Sequence, residues 1–417
     1  MPPGRNELEA AQLAAVNKLL AELRTNKFYA SRAPASVSSL DEFHSTTPFT
    51  SKREIVEDQL THPPFGTNLT YPLESYTRFC QTSGTTGNPM RWLDTPQSWN
   101  WMLDCWTAVL ETAGVKPGDR VFFAFSFGPF LGFWTGFEAA IRLGCLAIPG
   151  GGMRSEARLQ AMAGAKANVL CCTPTYALHL AEIASEIGFD LASIGVRTII
   201  VAGEPGGSIP GTRSHLEKLW GGANVVDHHG MTEIGPASYG CPKSPGVLHI
   251  LEQFFLAEVI EPESGTRLQR GSTGELVLTN LGRLGSPLLR YRTGDLVKTS
   301  AADQCACGSV DLALEGGILG RTDDMVVVRG VNVYPSAVEH ILRSAGGVTE
   351  YRVEISESRS LTELHLKIEP ENGEDHGLAH RIEAALRDAL SLRIPVTIAV
   401  PGSLPRFEMK AKRWVRV

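Results

Sequence analysis

Between Trp99 and Asp227 helix-like and strand-like stretches alternate with a regularity that leaves few folds open. Trp99 to Ala113 reads as a helix and Val121 to Phe125 as a strand. Phe137 to Leu143 then precedes Cys145 to Pro149, Leu159 to Ala163 precedes Asn168 to Cys172, Ala177 to Ile187 precedes Val196 to Ala202, and His215 to Leu219 precedes Asn224 to Asp227. Strands separated by helices at this rhythm predict a largely parallel sheet covered on both faces. Ligands of such sheets sit outside the carboxyl ends of the strands. Those ends carry Gly203-Glu204-Pro205 and Asp227-His228-His229-Gly230-Met231-Thr232-Glu233, which are therefore candidate binding residues.

The periodicity changes on either side of this block. Val16, Leu19, Leu20 and Leu23 lie at helical spacing, so an amphipathic helix is expected over residues 7–24, followed by a Ser/Thr/Pro-rich connection over 31–72. From about Leu248, strands separated by turns (Phe254 to Ile260, Gly274 to Thr279, Leu288 to Val297) predict a β-rich lobe over about 240–320. Gly320 to Asp324 reads as a junction. Beyond it a fresh α/β pattern begins, with a strand at Met325 to Val328, a helix at Ser336 to Arg343, a strand pair between Tyr351 and Ile368 and a helix at Leu378 to Leu390. The expected fold is thus α/β. A large N-terminal domain over 1–322 includes the β-rich lobe, and a small mobile α+β domain spans 323–417.

Composition narrows the function. The formal net charge is −6 and hydrophobic residues make up 43%, which suits a sizeable core and argues against a nucleic-acid surface. No apolar run approaches the ~18 residues of a membrane span, and the N-terminus lacks a signal pattern, so a cytoplasmic location is expected. The eight cysteines do not form a disulfide framework. Four residues do assemble a metal-ligating set: Cys305-x-Cys307 in a Gly-containing turn resembles half of a zinc knuckle, and Cys241 with His249 supplies the other half. A closed set of this kind predicts a structural Zn2+.

The remaining signal is Gln81-Thr-Ser-Gly-Thr-Thr-Gly-Asn-Pro89. Ser83, Thr85 and Thr86 alternate with Gly84 and Gly87, so backbone N–H and side-chain O–H groups can converge on an anion. No lysine follows the second glycine, so it is not a P-loop. Four further segments follow in order: Gly230-Met-Thr-Glu233, Tyr291-Arg-Thr-Gly-Asp295, Gly320-Arg-Thr-Asp-Asp-Met325 and Pro405-Arg-Phe-Glu-Met-Lys-Ala-Lys-Arg413. Together these motifs resemble the adenylate-forming enzymes. Through Cys171-Cys-Thr-Pro-x-Tyr-Ala-Leu178 and Val328-Arg-Gly-Val-Asn-Val-Tyr-Pro335 the chain is similar, more narrowly, to the phenylacetate-CoA ligase family. The resemblance covers nearly the whole chain.

This resemblance implies ATP-dependent conversion of an aromatic carboxylic acid to an acyl-adenylate, then transfer to coenzyme A. It implies that Ser83, Gly84, Thr85, Thr86 and Gly87, with Mg2+, hold the triphosphate; Glu233 is the expected Mg2+ ligand and Thr232 lies by the α-phosphate. Asp295 is expected on the ribose hydroxyls, Gly203, Glu204 and Pro205 at the adenine, and Asp227 through Met231 along the same nucleotide. Arg321 adds a ribose or phosphate contact, Asp323 is the pivot of the small domain, and Lys410 is the catalytic lysine, with Lys412 its rival. Two departures stand out. His229 replaces a usual aromatic next to the adenylate, and Met409 replaces a usual glycine before the lysine. Phe130, Trp134 and His229 are the expected acyl-pocket residues, from a ring-dense stretch suited to aromatic acids. Two alternatives are a carrier-protein phosphopantetheine as acceptor in place of coenzyme A, and a nucleotide- or zinc-binding protein without turnover. No membrane or nucleic-acid partner is expected, and a homodimer is left open.

Overall fold

The computed structural model describes residues 4–82, 89–322, 324, 326–328, 331–358, 361–371, 375, 377–407 and 411–417. The chain opens with α1 (Arg5–Glu22), α2 (Leu40–Thr46) and α3 (Lys52–Thr61). The last two lie where an irregular Ser/Thr/Pro-rich connection was expected. Their signals are capping signals rather than periodicity: Ser39 and Ser51 accept the amides of Glu42 and Glu54 three residues on, and at Ser51 the glutamate bonds back to close a capping box. Each of these helices buries a single side chain, Phe43 in α2 and Ile55 in α3, so no apolar stripe shows.

A hairpin of β1 (Arg78–Gln81) and β2 (Arg91–Asp94) flanks the Ser/Thr/Gly loop, and α4 (Pro96–Thr112) follows, capped by Thr95. Then comes the predicted alternation: β3 (Arg120–Phe123), α5 (Trp134–Arg142), β4 (Leu146–Pro149), α6 (Ser155–Gly164), β5 (Val169–Cys172), α7 (Pro174–Glu186), β6 (Thr198–Ala202), α8 (Pro210–Leu219) and β7 (Asn224–His228). These strands form one parallel sheet in the order β4-β3-β5-β6-β7. Every residue of β5 and β6 is buried. Successive side chains serve opposite faces, Cys171 and Ile200 packing into one core and Leu170, Cys172, Ile199 and Val201 into the other. A near-continuous apolar run is what a doubly covered parallel strand requires.

After the two-residue strands β8 (Gly230–Met231) and β9 (Gly235–Pro236), an antiparallel sheet follows. It is built from β10 (Ser238–Gly240), β11 (Val247–Ile250), β12 (Phe255–Ile260), β13 (Thr273–Asn280), β14 (Tyr291–Thr299) and β15 (Ala313–Arg321), in the order β10-β11-β15-β14-β13-β12. Strand β15 escaped the sequence reading because Gly316 and Gly317, with φ of 79° and 67°, interrupt its alternation. β10 runs against β7, and only a glycine fits that approach: a Cβ on Gly240 would come 2.9 Å from the Val226 side chain and 3.0 Å from the Asp227 carbonyl. α1 covers the far edge, its Val16, Leu19, Leu20 and Leu23 packing on Leu256, Leu281 and Leu289.

The last part comprises the ribbon β16 (Val326–Val328) and β17 (Val331–Val333), then α9 (Pro335–Ala345), β18 (Val348–Ser358), β19 (Leu361–Pro370), α10 (Leu378–Leu390), β20 (Val396–Ile398) and β21 (Trp414–Arg416). Its sheet has the order β20-β19-β18-β21. Its apolar cluster draws only on residues from Val326 onward. The α/β class and the mixed architecture expected from the sequence are what the structure shows, with β20 and β21 too short to have been anticipated. No described helix is long and apolar enough to cross a membrane.

Candidate active site

His229, just past the carboxyl end of β7, reaches β14 and β15, and part of the candidate set meets there. Asp295 on β14 pairs in register with Arg321 on β15. Its buried carboxylate takes one bond from Arg321 Nη1 at 3.2 Å and one from His229 Nε2 at 2.9 Å. A carboxylate can only accept here, so the bond to Asp295 places the imidazole proton on Nε2. His229 Nδ1 is buried with no hydrogen-bond partner among the described residues. Gly294 permits this corner: its φ is 75°, and a Cβ there would lie 2.7 Å from Arg321 Nη2.

Glu233 is buried, and among the described residues its carboxylate receives one long bond, from Tyr291 Oη at 3.4 Å. Burial, followed by the nearby Glu233 charge, pushes the Tyr291 hydroxyl well above its ordinary range, so it stays a donor. The backbone at Glu233 is held by a residue the sequence reading missed. Arg283 Nη1 donates to the carbonyls of Thr232 (2.7 Å) and Glu233 (3.0 Å), while Nε and Nη2 donate to both oxygens of Asp94 at 2.7 and 2.6 Å. Both charged side chains are fully buried, over the Trp92 ring. Asp94 ends β2, so this pair ties the hairpin carrying the Ser/Thr/Gly loop to the 230–233 segment. The available signal was one arginine inside the apolar run Leu281-Gly-Arg-Leu284, a position that burial permits only with a partner.

Other predicted residues are committed to the protein itself. Ser208 Oγ donates to Asp227 Oδ2 at 2.5 Å and the His228 amide to Oδ1 at 3.0 Å; burial raises the Asp227 carboxyl. His228 Nδ1 donates to the Ser238 carbonyl at 2.7 Å and its ring lies 4.3 Å from that of Trp106, with burial lowering its pKa to about 4. Gly203 follows β6 with φ 93°, and Pro205 is exposed beside it. Glu204 accepts two backbone amides, from Thr175 at 2.8 Å and from Ala411 at 2.9 Å. Gly230 and Met231 pair with Pro236 and Gly235 in a tight two-strand corner.

In the ring-dense stretch most rings pack on one another: Phe125 on Phe127 (4.7 Å) and Phe133 (4.4 Å), Phe127 on Trp134 (4.7 Å) and Phe137 (5.3 Å). Trp134 Nε1 donates to the Gly128 carbonyl at 3.0 Å. Phe130 is half-buried and has no ring contact among the described residues. Ser83, Gly84, Thr85, Thr86, Gly87, Asp323 and Lys410 lie outside the described residues.

A separate constellation lies at the edge strands β10 and β11. Cys241, His249, Cys305 and Cys307 bring their ligand atoms within 4.8 Å of one another. Cys241 Sγ is 3.7 Å from Cys305 Sγ, and Cys307 Sγ is 3.6 Å from His249 Nε2. His249 Nδ1 donates to the Asp311 carbonyl at 3.3 Å, which turns Nε2 toward the thiols, and the ring stacks on Tyr239 at 5.1 Å.

With this geometry in place, the relatives follow. Residues 21–282 match the AMP-binding enzyme family and residues 330–416 the AMP-binding enzyme C-terminal domain. The phenylacetate-coenzyme A ligase of Thermus thermophilus is 32% identical over 386 residues, covering 87% of this chain and 84% of that protein. A 2-hydroxyisobutyryl-CoA ligase in a postadenylation state superposes with a TM-score of 0.94 at 28% identity, covering 100% of this chain and 90% of the other. The same enzyme in a thioesterification state, with CoA, gives 0.75 at 29% identity, covering 99% and 90%. The chain belongs to the adenylate-forming AMP-binding enzymes, and within them to the acyl-CoA ligases of the phenylacetate-CoA ligase type.

The buried Arg283–Asp94 pair generates a stability prediction. Arg283→Ala leaves an uncompensated buried carboxylate and is expected to cost about 3–5 kcal/mol in urea unfolding. Adding Asp94→Ala should recover part of that loss, since no buried charge then remains. An Arg283→Ala chain as stable as the parent would show that the pair holds nothing.

His228 gives a pH prediction. Its folded pKa, about 4, lies below its ordinary 6.5, so between those values the unfolded chain binds a proton that the folded chain refuses. Stability should therefore fall as the pH drops through that window, by roughly 3 kcal/mol at full burial. Unfolding titrations of His228→Gln, whose amide can still donate to the Ser238 carbonyl, should show a flatter profile between pH 7 and 4.

Proposed function

We propose that this chain joins an aromatic carboxylic acid to coenzyme A through an acyl-adenylate, in the cytoplasm. The observation that carries the reading is the meeting of Asp295, His229, Arg321 and Glu233 at the open end of the parallel sheet. A carboxylate oxygen attacks the α-phosphorus of ATP and pyrophosphate leaves; the CoA thiol then attacks the acyl carbon, and AMP leaves with loss of the thiol proton. Asp295 is suited to accept from the ribose hydroxyls, bonds to a charged acceptor worth about 1.5–3 kcal/mol each. Arg321 beside it supplies positive charge toward the phosphate. Glu233 is assigned to Mg2+: among the described residues its buried carboxylate has only the Tyr291 bond to satisfy it, which leaves lone pairs for a hard cation. When bound, the ion would offset triphosphate charge. Lys410 is assigned the charge-stabilising role at the reacting oxygens, and residues from 323 onward are assigned to a unit that pivots at Asp323. Coenzyme A is preferred to a carrier protein because the relatives named above are CoA ligases.

A second substrate reading, a small 2-hydroxy acid, is favoured by one observation. His229 stands where an aromatic is expected, with its Nε2 on Asp295 and its Nδ1 without a partner among the described residues, and a 2-hydroxyisobutyryl-CoA ligase superposes with a TM-score of 0.94. Acid-dependent release of pyrophosphate and AMP, measured with CoA over phenylacetates, benzoates, aminobenzoates and 2-hydroxyisobutyrate, separates the two. Aryl acids should give the highest kcat/KM. A preference for 2-hydroxyisobutyrate would replace the aromatic reading, and turnover with no acid would overturn both. Lys410→Ala should abolish ATP/pyrophosphate exchange, while Lys412→Ala stays near the parent rate.

The structural Zn2+ belongs to the same proposal. A tetrahedral zinc with its usual bond lengths has edges of about 3.8 Å between sulfurs and about 3.6 Å between sulfur and nitrogen. The 3.7 and 3.6 Å separations found here fit those edges and are far from a disulfide. Four protein ligands leave no open position, so the ion would fasten the 305–307 turn to β10 and β11. Elemental analysis of protein never exposed to chelator should give one zinc per chain, and Cys307→Ser should lose the metal and lower Tm by several degrees. Less than half a zinc per chain would remove the site.

A further inference from the structure

Described residues on either side of 408–410 are fastened to the larger part at three points. At one end the Arg406 guanidinium bridges two carboxylates, Glu182 of α7 (Nη2–Oε1 2.9 Å, with Nε at 3.2 Å from each oxygen) and Glu369 of β19 (2.8 Å). At the other, Arg413 Nη1 reaches Thr175 Oγ1 at 3.4 Å, while its Nε and Nη2 hold Glu350 of β18 at 2.5 and 3.0 Å. Between them the Ala411 amide donates to Glu204 Oε2 at 2.9 Å. Thr175 and Glu182 are seven residues apart on α7, two turns along one face, or about 10.5 Å. Arg406 and Arg413 show the same seven-residue difference in the opposite direction, so Arg413 sits at the amino end of the helix.

That end is where backbone donors lack helical partners. Glu204 takes one of them, the Thr175 amide, with Oε1, and uses its second oxygen on the Ala411 amide. One carboxylate at the end of β6 thus joins the start of α7 to the residue that follows Lys410 in sequence. Glu182 is prepared for its partner: the His179 ring 3.7 Å away, with the bond to Arg406, lowers its pKa to about 2, so it is charged throughout the working range.

We propose that Glu204 and the Arg406–Glu182 pair form a clasp that positions the Lys410 segment for adenylation and opens before CoA attacks. Glu204 and Glu182 are positioning residues that touch neither substrate nor reacting atoms. The assignment rests on the ligase reading for its consequence in catalysis, but the clasp itself is a property of the folded chain.

Glu204→Gln keeps the side chain's shape but replaces one acceptor by a donor, so one of the two amides must lose its bond; Glu182→Gln removes the charge that Arg406 holds. In the intact chain, hydrogen–deuterium exchange of the peptide over 407–417 should be at least tenfold faster in the Glu204→Gln/Glu182→Gln double variant than in the parent, with Tm of the large domain little changed. With phenylacetate as acid, ATP/pyrophosphate exchange should fall at least tenfold, while thioester formation from presynthesised phenylacetyl-adenylate and CoA stays within twofold. Unchanged exchange of the 407–417 amides would overturn the clasp, and so would an equal loss in both half-reactions, which marks a merely structural role. Faster amide exchange in a chain whose parent activates no acid would leave the clasp standing and overturn the ligase reading.

Discussion

The buried bond between Arg283 and Asp94 is the constraint on which the candidate site depends. One guanidinium satisfies a carboxylate at the end of β2 and two carbonyls at the 232–233 corner, with no exposure of either charge. Desolvating two charges costs several kcal/mol each and is recovered only with near-complete hydrogen bonding. The arrangement therefore adds little to net stability. What it adds is geometric: the phosphate-type loop and the Glu233 corner come from chain segments about 140 residues apart, and a multidentate charged bond fixes their separation with more directionality than apolar packing does.

The same logic separates what was readable in the sequence from what was not. The alternation from Trp99 to Asp227 was readable because the central strands β5 and β6 are continuous apolar runs buried on both faces and the helices between them bury several apolar side chains. The motif residues of the nucleotide site were readable as motifs. Asp295, His229, Arg321 and Glu233 do converge, although their roles in binding rest on chemistry rather than contact. The Arg283–Asp94 pair was hidden because partners so distant in sequence leave no local pattern. β15 was hidden by its glycines, and α2 and α3 by burying only one side chain each. Glu204 shows a different limit: its place at a strand end was foreseen, but an acid there can serve a ligand or a neighbouring amide equally well, and only the fold shows which amides are near.

Substrate identity depends on a corner that already has a job. His229 stands beside the position where the adenylate is proposed, yet its Nε2 is engaged by Asp295, so its orientation is tied to the group proposed to hold the ribose. Changing residue 229 would alter the setting of Asp295 together with the acyl pocket. This makes His229 a poor position at which to read specificity by simple comparison of side chains. The ring ladder from Phe125 to Phe137 is likewise shared, since most of its rings are spent on one another and on the core beneath the parallel sheet.

The way the last unit is attached suits a part that must move. Its apolar cluster contains no residue from before Val326, so displacing it exposes none of the core of the larger part. Polar contacts across the boundary among the described residues include Arg406 with Glu182, Ala411 with Glu204, Arg413 with Thr175 and Ser336 with the Leu319 carbonyl; beside them Gly211 on α8 closely approaches the Arg343 backbone, where a Cβ would come within 2.9 Å, and the Tyr334 ring packs on Gly320. Partly exposed ion pairs are worth about 0–1 kcal/mol each, and a hydrogen bond about 1 kcal/mol. A few such bonds can bias a two-state equilibrium by a factor of ten to a hundred without locking it. A hydrophobic interface of the same extent would hold one arrangement far more firmly. The clasp thus has the strength needed to favour the adenylating arrangement, and the polarity that lets water replace each bond when it opens.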